Sequence, residues 1–184
     1  MLYTISGPSS VGKSIVVENF ITHCGFMRYT PYTTREKRAC ENEQDGKEYF
    51  FSIFNKLKEI SKNFSIGYWD FIFDNVYGYT KEISKCILVE QKYIILATVN
   101  IALQIKRDHH SIKTVFIDFE NPLERKRRIT DRFYPNTTLV EQKLKEAKKI
   151  APFKPYFDIA VIGDNPYGIY ETLKDILQIG WNQL

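Results

Sequence analysis

The chain has 184 residues, of which 43% are hydrophobic and 26% charged, and its formal net charge at pH 7 is +4. That length predicts one domain with a single sizeable core, and the composition excludes a disordered or fibrous chain. No apolar run reaches the length of a membrane-spanning helix, and we expect no signal peptide. Cys24, Cys40 and Cys86 lie far apart without metal-ligand spacing, so we expect no disulfide framework and a cytoplasmic location.

Strand-like and helix-like segments alternate along most of the chain. The strand-like segments are near-continuous apolar runs, which is typical of strands buried on both faces of a parallel sheet. The alternation predicts an α/β fold, a doubly wound parallel sheet with helices on both faces. In chain order, the predicted elements are strand 2–6, helix 14–23, strand 92–99, helix 100–108, strand 113–119, helix 122–132, strand 157–162 and helix 167–179.

Two segments interrupt this alternation. Residues 33–80 are polar and aromatic and contain turn signals such as Gln44-Asp45-Gly46, which indicates an inserted substrate-binding subdomain. Residues from about 126 to 150 form two basic helical runs, which indicates a helical lid that closes over a bound molecule. Within the single domain 1–184, the core is then predicted in residues 1–32, 81–131 and 151–184.

The loop after the first strand contains the most specific motif. Residues 7–14 read Gly-Pro-Ser-Ser-Val-Gly-Lys-Ser and fit G-x-x-x-x-G-K-[ST], the phosphate-binding P-loop. Gly7 and Gly12 let the backbone N–H groups turn toward phosphate oxygens. Lys13 is expected to neutralise the β- and γ-phosphates of ATP, and the Ser14 hydroxyl to bind Mg²⁺. The residues predicted to bind ATP are Gly7, Ser9, Ser10, Val11, Gly12, Lys13 and Ser14.

The distribution of basic residues along the chain indicates what kind of partner the protein binds. Basic residues cluster at 125–128 and at 143–149. Such clusters suit a polyphosphate as well as they suit nucleic acid. Together with the P-loop, they predict a small phosphorylated molecule as the main partner, rather than nucleic acid or a membrane. We expect the chain to be a monomer or a homodimer.

Several further motifs resemble those of guanylate kinases, and the likeness extends over nearly the whole chain. The P-loop has the form that this family uses. The segment Thr33–Arg38 is similar to the family's T-T-R-x-x-R, and Glu43–Phe51 to its E-x-x-G-x-x-Y-x-F. Trp69 followed by Tyr77-Gly78 matches the W…Y-G spacing, and the run Arg125–Arg132 looks like the lid. The resemblance implies a P-loop kinase that transfers phosphate from ATP to the phosphate of a nucleoside monophosphate.

The residues that hold the acceptor phosphate in this family are all matched. The matching residues are Arg35, Arg38, Tyr49 and Tyr77. The chemistry is sound without the resemblance, because arginine presents a rigid fork of donors to phosphate oxygens and tyrosine hydroxyls add neutral donors. We therefore expect a site for a phosphorylated acceptor opposite the P-loop.

The residues that read guanine in this family are not matched. Their positions hold Pro31, Tyr68, Tyr79 and Ala97, so the carboxylates that accept from the guanine edge are missing. Tyr68, Tyr79 and the nearby Phe71 offer stacking faces and apolar walls instead. A site that loses such hydrogen bonds loses discrimination. The sequence therefore predicts a phosphorylated acceptor other than GMP.

The catalytic and metal-binding residues are matched only in part. Arg128 and Arg132 are the lid residues expected to neutralise the transferring phosphoryl group, and Lys143 replaces a third arginine of the family. The strand 92–99 ends without an acid that would hold Mg²⁺, so Asp118, at the end of the next strand, is the candidate beside Ser14.

The sequence alone leaves four functions open. The favoured one is an ATP-dependent kinase for a nucleoside monophosphate other than GMP. The others are a ribose 1,5-bisphosphate kinase, whose family resembles guanylate kinase and also lacks its guanine-reading residues, a guanylate kinase with rearranged base contacts, and a non-catalytic guanylate kinase-like binding module. The intact Lys13 and Ser14 count against the last, because a protein-binding module does not need them.

Overall fold

A computed structural model describes residues 1–38, 43–52 and 66–177 of the chain. Its central sheet has five strands, and every neighbouring pair is parallel. The strands are β1 (Leu2–Ser6), β2 (Met27–Arg28), β7 (Tyr93–Leu96), β8 (Lys113–Phe119) and β9 (Ile159–Gly163). Their order across the sheet is β2-β7-β1-β8-β9, which confirms the predicted α/β fold.

Helices cover both faces of this sheet. The α-helices are α1 (Lys13–Cys24), α2 (Lys85–Leu88), α3 (Val99–Asp108), α4 (Pro122–Phe133), α5 (Thr137–Ile150) and α6 (Pro166–Ile176). Side chains alternate along β8, so Val115 and Ile117 pack in the cluster beneath α1 and α6, whereas Phe116 packs in the cluster beneath α3. The apolar run is continuous because β8 is buried on both faces.

Short polar residues set where the helices begin. The side chain of Asn121 accepts from the backbone N–H of Leu123 at the start of α4, and Pro122 follows it. At the start of α3, Thr98 accepts from the N–H of Ile101, and β7 therefore ends at Leu96 rather than at the predicted residue 99. Such caps satisfy N–H groups that have no partner within the helix. They also place these helices directly behind the ends of the central strands.

A second sheet is built from described residues within the segment 32–80, which includes the predicted insertion. Its strands are β3 (Tyr32–Thr33), β4 (Phe50–Phe51), β5 (Ile66–Ile72) and β6 (Asn75–Thr80), in the order β4-β3-β6-β5. Strands β5 and β6 are antiparallel and are joined by a two-residue turn. Both turn residues have positive φ, 46° at Phe73 and 61° at Asp74, which is rare for a phenylalanine.

Helices α4 and α5, called the lid helices below, occupy the region predicted to form a lid. They are separated by residues 134–136 and pack against each other. No helix among the described residues is long and apolar enough to cross a membrane.

Candidate active site

One large cleft opens at the carboxyl ends of the central strands, between the second sheet and the lid helices. Its volume is about 1110 Å³. The P-loop after β1 forms its floor, which is the place where α/β folds bind ligands. The P-loop and acceptor-side residues predicted from the sequence that line it are Gly7, Ser9, Ser10, Gly12, Lys13, Ser14, Arg38, Tyr49, Tyr77 and Tyr79.

The two P-loop glycines are required by close packing. A Cβ on Gly7 would lie 2.1 Å from the carbonyl oxygen of Ile117, and one on Gly12 would lie 2.2 Å from a ring carbon of Pro166. Both glycines also have positive φ. The loop is therefore pressed against β8 and the start of α6, where a side chain does not fit.

The P-loop contains a buried hydroxyl that no described residue satisfies. Ser10 has a φ of 65°, and its Oγ atom is buried in the cleft wall without a hydrogen-bond partner in the described part of the chain. A strained residue with an unused donor in a cleft suits a site that waits for an anion. Val11, in contrast, is fully buried, and its side chain packs in the core rather than in the cleft.

Lys13 lies across the P-loop. Its Nζ atom donates to the carbonyl oxygens of Gly7 at 2.8 Å and Pro8 at 2.6 Å. Desolvation is the main cause that lowers the pKa of Lys13 to about 7. The negative charge of Glu146 acts to raise this pKa, and several nearby cations lower it further. The cations are Arg132, Lys143 and Arg38. This concentration of positive charge favours a polyphosphate in the cleft.

The low pKa of Lys13 predicts that ATP binding takes up a proton. Bound phosphates favour the charged ammonium and raise its pKa, so uptake approaches about 0.9 proton at pH 8 and about 0.1 at pH 6. Calorimetric titrations with ATP·Mg²⁺, in buffers of different ionisation enthalpy, measure it directly. The Lys13→Met variant is the control and should show a much smaller difference between the two pH values, because, among the described residues that line the cleft, only Lys143, whose pKa is also lowered by burial, remains to take up a proton. Equal uptake by both proteins at pH 8 would contradict the prediction.

The first acceptor-side arginine is held by a buried carboxylate. Arg35 donates from its two terminal nitrogens to both carboxylate oxygens of Glu43, at 2.9 and 2.6 Å. The backbone N–H of Arg38 donates to the same carboxylate at 2.8 Å. Burial acts to raise the pKa of Glu43, but these hydrogen bonds outweigh it and hold the pKa below its usual value. Arg35 is thus fixed in place, although it is not one of the described residues that line the cleft.

Tyr49 and Tyr77 are the two tyrosines of the acceptor side. Their rings meet edge to face, with centroids 5.9 Å apart, and the Arg35 guanidinium lies 5.4 Å from the centre of the Tyr49 ring. Burial raises the pKa of Tyr49 to about 12 and also raises the pKa of Tyr77. Both hydroxyls therefore stay protonated at neutral pH, and each can donate a hydrogen bond into the cleft.

The wall where a base is expected is largely apolar. Tyr79 lines the cleft with Pro31 and Ala97, but its hydroxyl already donates to the carbonyl oxygen of Leu96. Its ring stacks on Tyr29 with the centroids 5.9 Å apart. Tyr79 can therefore present an aromatic surface to a ligand, but its hydroxyl is already used.

The structure does not bring Tyr68 into the cleft, contrary to the expectation from the sequence. The residue is 7% exposed, and its ring packs edge to face on His109, just beyond the end of α3. The reason is that α3 packs against β5 and buries this side chain beneath the helix. A residue matched by sequence position to a base contact thus belongs to the core beneath α3.

The lid helices contribute several charged side chains to the cleft. Arg128 and Arg132 line it, as does Lys143. Arg128 donates to Glu124 at 2.7 Å, and its guanidinium lies 4.8 Å from the centre of the Phe119 ring. The lid arginines predicted to be catalytic therefore face the same cleft as the P-loop.

Two contacts link the acceptor side to the lid helices. Lys143 is 8% exposed, and its Nζ atom lies 4.4 Å from the centre of the Phe73 ring, at the tip of the β5–β6 turn. The guanidinium of Arg38 lies 5.9 Å from the centre of the Phe133 ring, at the end of α4. Both are cation–π contacts, and together they bridge the two sides of the cleft.

Of the two predicted Mg²⁺ ligands, only Ser14 lines the cleft. Asp118 accepts hydrogen bonds from Arg125 and from the backbone N–H of Phe119, and it is not one of the described residues that line the cleft. The cause is local, because α4 begins four residues after Asp118 and brings Arg125 back over the strand end. The geometry gives no support to Asp118 as a ligand of Mg²⁺.

Asp70 is a cleft residue that the sequence analysis did not identify. One carboxylate oxygen accepts from the Thr98 hydroxyl at 2.6 Å, and the other accepts from the side-chain amide of Asn100 at 3.2 Å. All three residues line the cleft. The available signal was the two-residue period of a strand, which puts Asp70 on the same face of β5 as Tyr68.

A family model described as guanylate kinase matches residues 1–179. The chain belongs to the guanylate kinase family. This membership confirms the predicted class of enzyme, an ATP-dependent phosphotransferase with a P-loop, and it supports a kinase that acts on a nucleoside monophosphate. The family uses ATP together with Mg²⁺.

Similar guanylate kinases match the chain over most of their length. The guanylate kinase of Bacillus cereus is 29% identical over 180 residues, which cover 96% of this chain and 87% of that protein. The guanylate kinase of Fusobacterium nucleatum subsp. nucleatum is 25% identical over 179 residues, covering 97% and 94%.

Solved structures share the fold. The crystal structure of guanylate kinase from Anaplasma phagocytophilum matches with a TM-score of 0.75 at 17% identity, covering 100% of this chain and 87% of that one. A shikimate kinase from Bacteroides thetaiotaomicron matches with a TM-score of 0.53 at 13% identity, covering 97% and 98%. At these identities the likeness concerns the fold alone.

Proposed function

We propose that the protein transfers the γ-phosphoryl group of ATP to the phosphate of a nucleoside monophosphate whose base is not read by the family's guanine contacts. The observation that carries the proposal is a division within one cleft. The P-loop and Lys13 line the same cleft as Arg38, Tyr49 and Tyr77, so donors for two phosphate groups are present. The base wall, in contrast, is formed by residues without a free carboxylate at the expected positions. We also propose that the protein works in the cytoplasm, where Cys24 and Cys86 stay reduced.

In this proposal the P-loop and Lys13 hold the phosphates of ATP. The backbone N–H groups of the loop and the Ser10 hydroxyl donate to phosphate oxygens, and Lys13 crosses from its present carbonyl partners to the β- and γ-phosphates. Ser14 would hold Mg²⁺, which neutralises charge on the β- and γ-oxygens when it is bound. The hydroxyl of Ser14 in the cleft fits this ion, because Mg²⁺ takes most of its other ligands from substrate and water.

The acceptor phosphate is proposed to bind at Arg38, Tyr49 and Tyr77. Arg35 acts from behind, where its contact with Tyr49 and its ion pair with Glu43 fix the shape of this site. An anionic oxygen of the acceptor phosphate then attacks the γ-phosphorus, and the bond from the γ-phosphorus to the bridging oxygen breaks. The products are ADP and a nucleoside diphosphate.

This transfer needs no general base, because the attacking oxygen is already an anion. Catalysis then rests on positioning and on neutralising the phosphoryl group in flight. Arg128 and Arg132 are proposed for the second role, since both reach the cleft from the lid helices. Closure of these helices over the cleft would exclude the water that otherwise hydrolyses ATP.

The base wall favours a nucleotide acceptor over a sugar phosphate. Pro31, Tyr79 and Ala97 form apolar surface in the cleft, with Phe71 also lining it. Such a surface can pack against the faces of a flat aromatic base. A ribose phosphate without a base has no such face and would gain little from it. The side chains of Pro31, Phe71, Tyr79 and Ala97 themselves offer no free acceptor to the N–H donors of guanine.

A panel of acceptors tests the proposal. ADP release is measured with ATP·Mg²⁺ and GMP, AMP, CMP, UMP, dTMP or ribose 1,5-bisphosphate, with the Lys13→Met variant as the blank. We expect at least one nucleotide other than GMP to exceed GMP in kcat/KM by about tenfold. Turnover of GMP above all others would overturn the altered base specificity and leave a guanylate kinase. Silence across the panel, with ATP still bound, would favour the binding-module alternative.

A further inference from the structure

We propose that Asp70 and Asn100 select the base of the acceptor by binding the exocyclic amino group and the adjacent ring nitrogen of cytosine or adenine. This inference rests on the proposed function, and it names the substrate class of the same cleft. Cytosine and adenine share one edge pattern, an amino donor beside an unprotonated ring nitrogen. Asp70 is a pure acceptor when ionised, and Asn100 carries donors, so the pair matches that pattern.

The hydrogen-bond capacity of the two side chains leaves room for a ligand. A carboxylate has about four lone-pair positions, and Asp70 uses one on each oxygen for Thr98 and Asn100. The amide nitrogen of Asn100 has two hydrogens and gives one to Asp70, so the second can be donated to a ring nitrogen. Asn100 is exposed at the first turn of α3 and lines the cleft.

The position of Asp70 suits a base rather than a phosphate. On β5 it lies directly opposite Tyr77 of β6, whose long side chain carries its hydroxyl farther from the sheet than an aspartate reaches. Asp70 instead contacts Thr98 and Asn100, at the carboxyl end of β7, on the same wall as Ala97. This is the wall where the proposed function places the base.

The contact with Thr98 holds the carboxylate in place. The Thr98 hydroxyl donates to Asp70 and also accepts from the N–H of Ile101, so the start of α3 and the aspartate are fixed together. A carboxylate fixed in this way discriminates well between bases, because it cannot rotate to avoid an unfavourable contact with the wrong base. Uracil and hypoxanthine place a carbonyl oxygen where cytosine and adenine have the amino group, and that oxygen would face the carboxylate.

Matched substrate pairs test the inference. The full chain, the Asp70→Asn variant and an Asp74→Asn control are assayed with ATP·Mg²⁺ and CMP, UMP, AMP or IMP, and dCMP is added as a test for ribose contact. Asp74 is exposed in the β5–β6 turn, and asparagine tolerates its positive φ. We expect the unchanged protein to prefer CMP to UMP and AMP to IMP by about 10- to 100-fold in kcat/KM. Asp70→Asn should reduce both ratios to near unity with the KM for ATP unchanged, whereas Asp74→Asn should keep them.

Three outcomes overturn the inference. The first is that the ratios are unchanged in Asp70→Asn. The second is an equal loss of kcat/KM with all four acceptors, which indicates a purely structural role. The third is that the variant changes the preference between CMP and dCMP instead, which indicates contact with the ribose. If no acceptor is phosphorylated, the proposed function fails on its own, and calorimetric binding of CMP and UMP without ATP decides the inference. Tighter binding of CMP that is lost in Asp70→Asn supports it, and equal binding of the two overturns it.

Discussion

Replacing Lys13 by methionine lowers the rate of ATP-dependent transfer by about 10³-fold or more while leaving the fold intact. Methionine keeps the length and the apolar stem of lysine, so the packing of the P-loop is preserved. What it removes is the ammonium group that joins the loop carbonyls of Gly7 and Pro8 and, in the proposed mechanism, meets the β- and γ-phosphates. The measurement is kcat with the best acceptor of the panel, and turnover within tenfold of the unchanged protein would contradict the P-loop assignment.

The same variant carries a second expected result that concerns stability. The pKa of Lys13 is lowered from 10.5 to about 7 on folding, so folding is penalised when the lysine is charged in both states. The penalty is complete below pH 7 and disappears as the pH rises from about 7 to 10.5. Lys13→Met should therefore be more stable than the unchanged protein at pH 6, by on the order of 2 kcal/mol, and the gain should shrink by pH 9. Urea unfolding at the two pH values measures it, and a gain that grows with pH would contradict the sign.

Replacing Arg35 by alanine both destabilises the protein and impairs the use of the acceptor. Glu43 is 6% exposed, so the change leaves an ionised carboxylate buried without its bidentate partner, at a cost of about 3 kcal/mol. The loss of the guanidinium beside Tyr49 also loosens the acceptor phosphate site, in both the ground state and the transition state. We expect a higher KM for the acceptor and a lower kcat, together with a lower midpoint of urea unfolding.

A double variant separates the two effects of Arg35. Changing Arg35 and Glu43 together to leucine replaces a buried ion pair by apolar side chains, which restores much of the stability. It does not restore the shape or charge of the acceptor site, so activity should stay as low as in Arg35→Ala. Recovery of activity along with stability would show that Arg35 has only a structural role. An acceptor KM unchanged in both variants would place the phosphate site elsewhere.

The central sheet and its helices were predictable because their signals are local. The strands β1 and β8 lie at the predicted residues, since a continuous apolar run that is buried on both faces has few alternatives. Helix α4 begins at the predicted residue 122, where a capping asparagine precedes proline. The two-residue strand β2 was not predicted, because its pairing with β7 depends on a neighbour distant in the chain.

The base side of the site was harder to predict, since it depends on which part of a strand each helix covers. Tyr68 occupies a matched position in the sequence, but the packing of α3 decides that its ring belongs to the core. The carboxylate of Asp70 is two residues further along the same strand and reaches the cleft instead. Asp118 lies at the end of a central strand, where a metal ligand was expected, but the first turn of α4 brings Arg125 to it. Tertiary contacts, not residue type, settle these three positions.

The two cation–π bridges across the cleft have a consequence for how the substrates enter. Lys143 on Phe73 and Arg38 on Phe133 join the acceptor side to the lid helices, so a nucleotide that needs the two sides to part has to break both contacts. If each bridge contributes about 1 kcal/mol, the state in which both bridges are formed outnumbers the state in which both are broken by roughly thirty to one. Each nucleotide then binds about thirty times more weakly than it would to a cleft already open. The first substrate to bind bears that cost, and the second binds to a cleft in which both bridges are already broken. In this case the bridges alone make the two binding events cooperative.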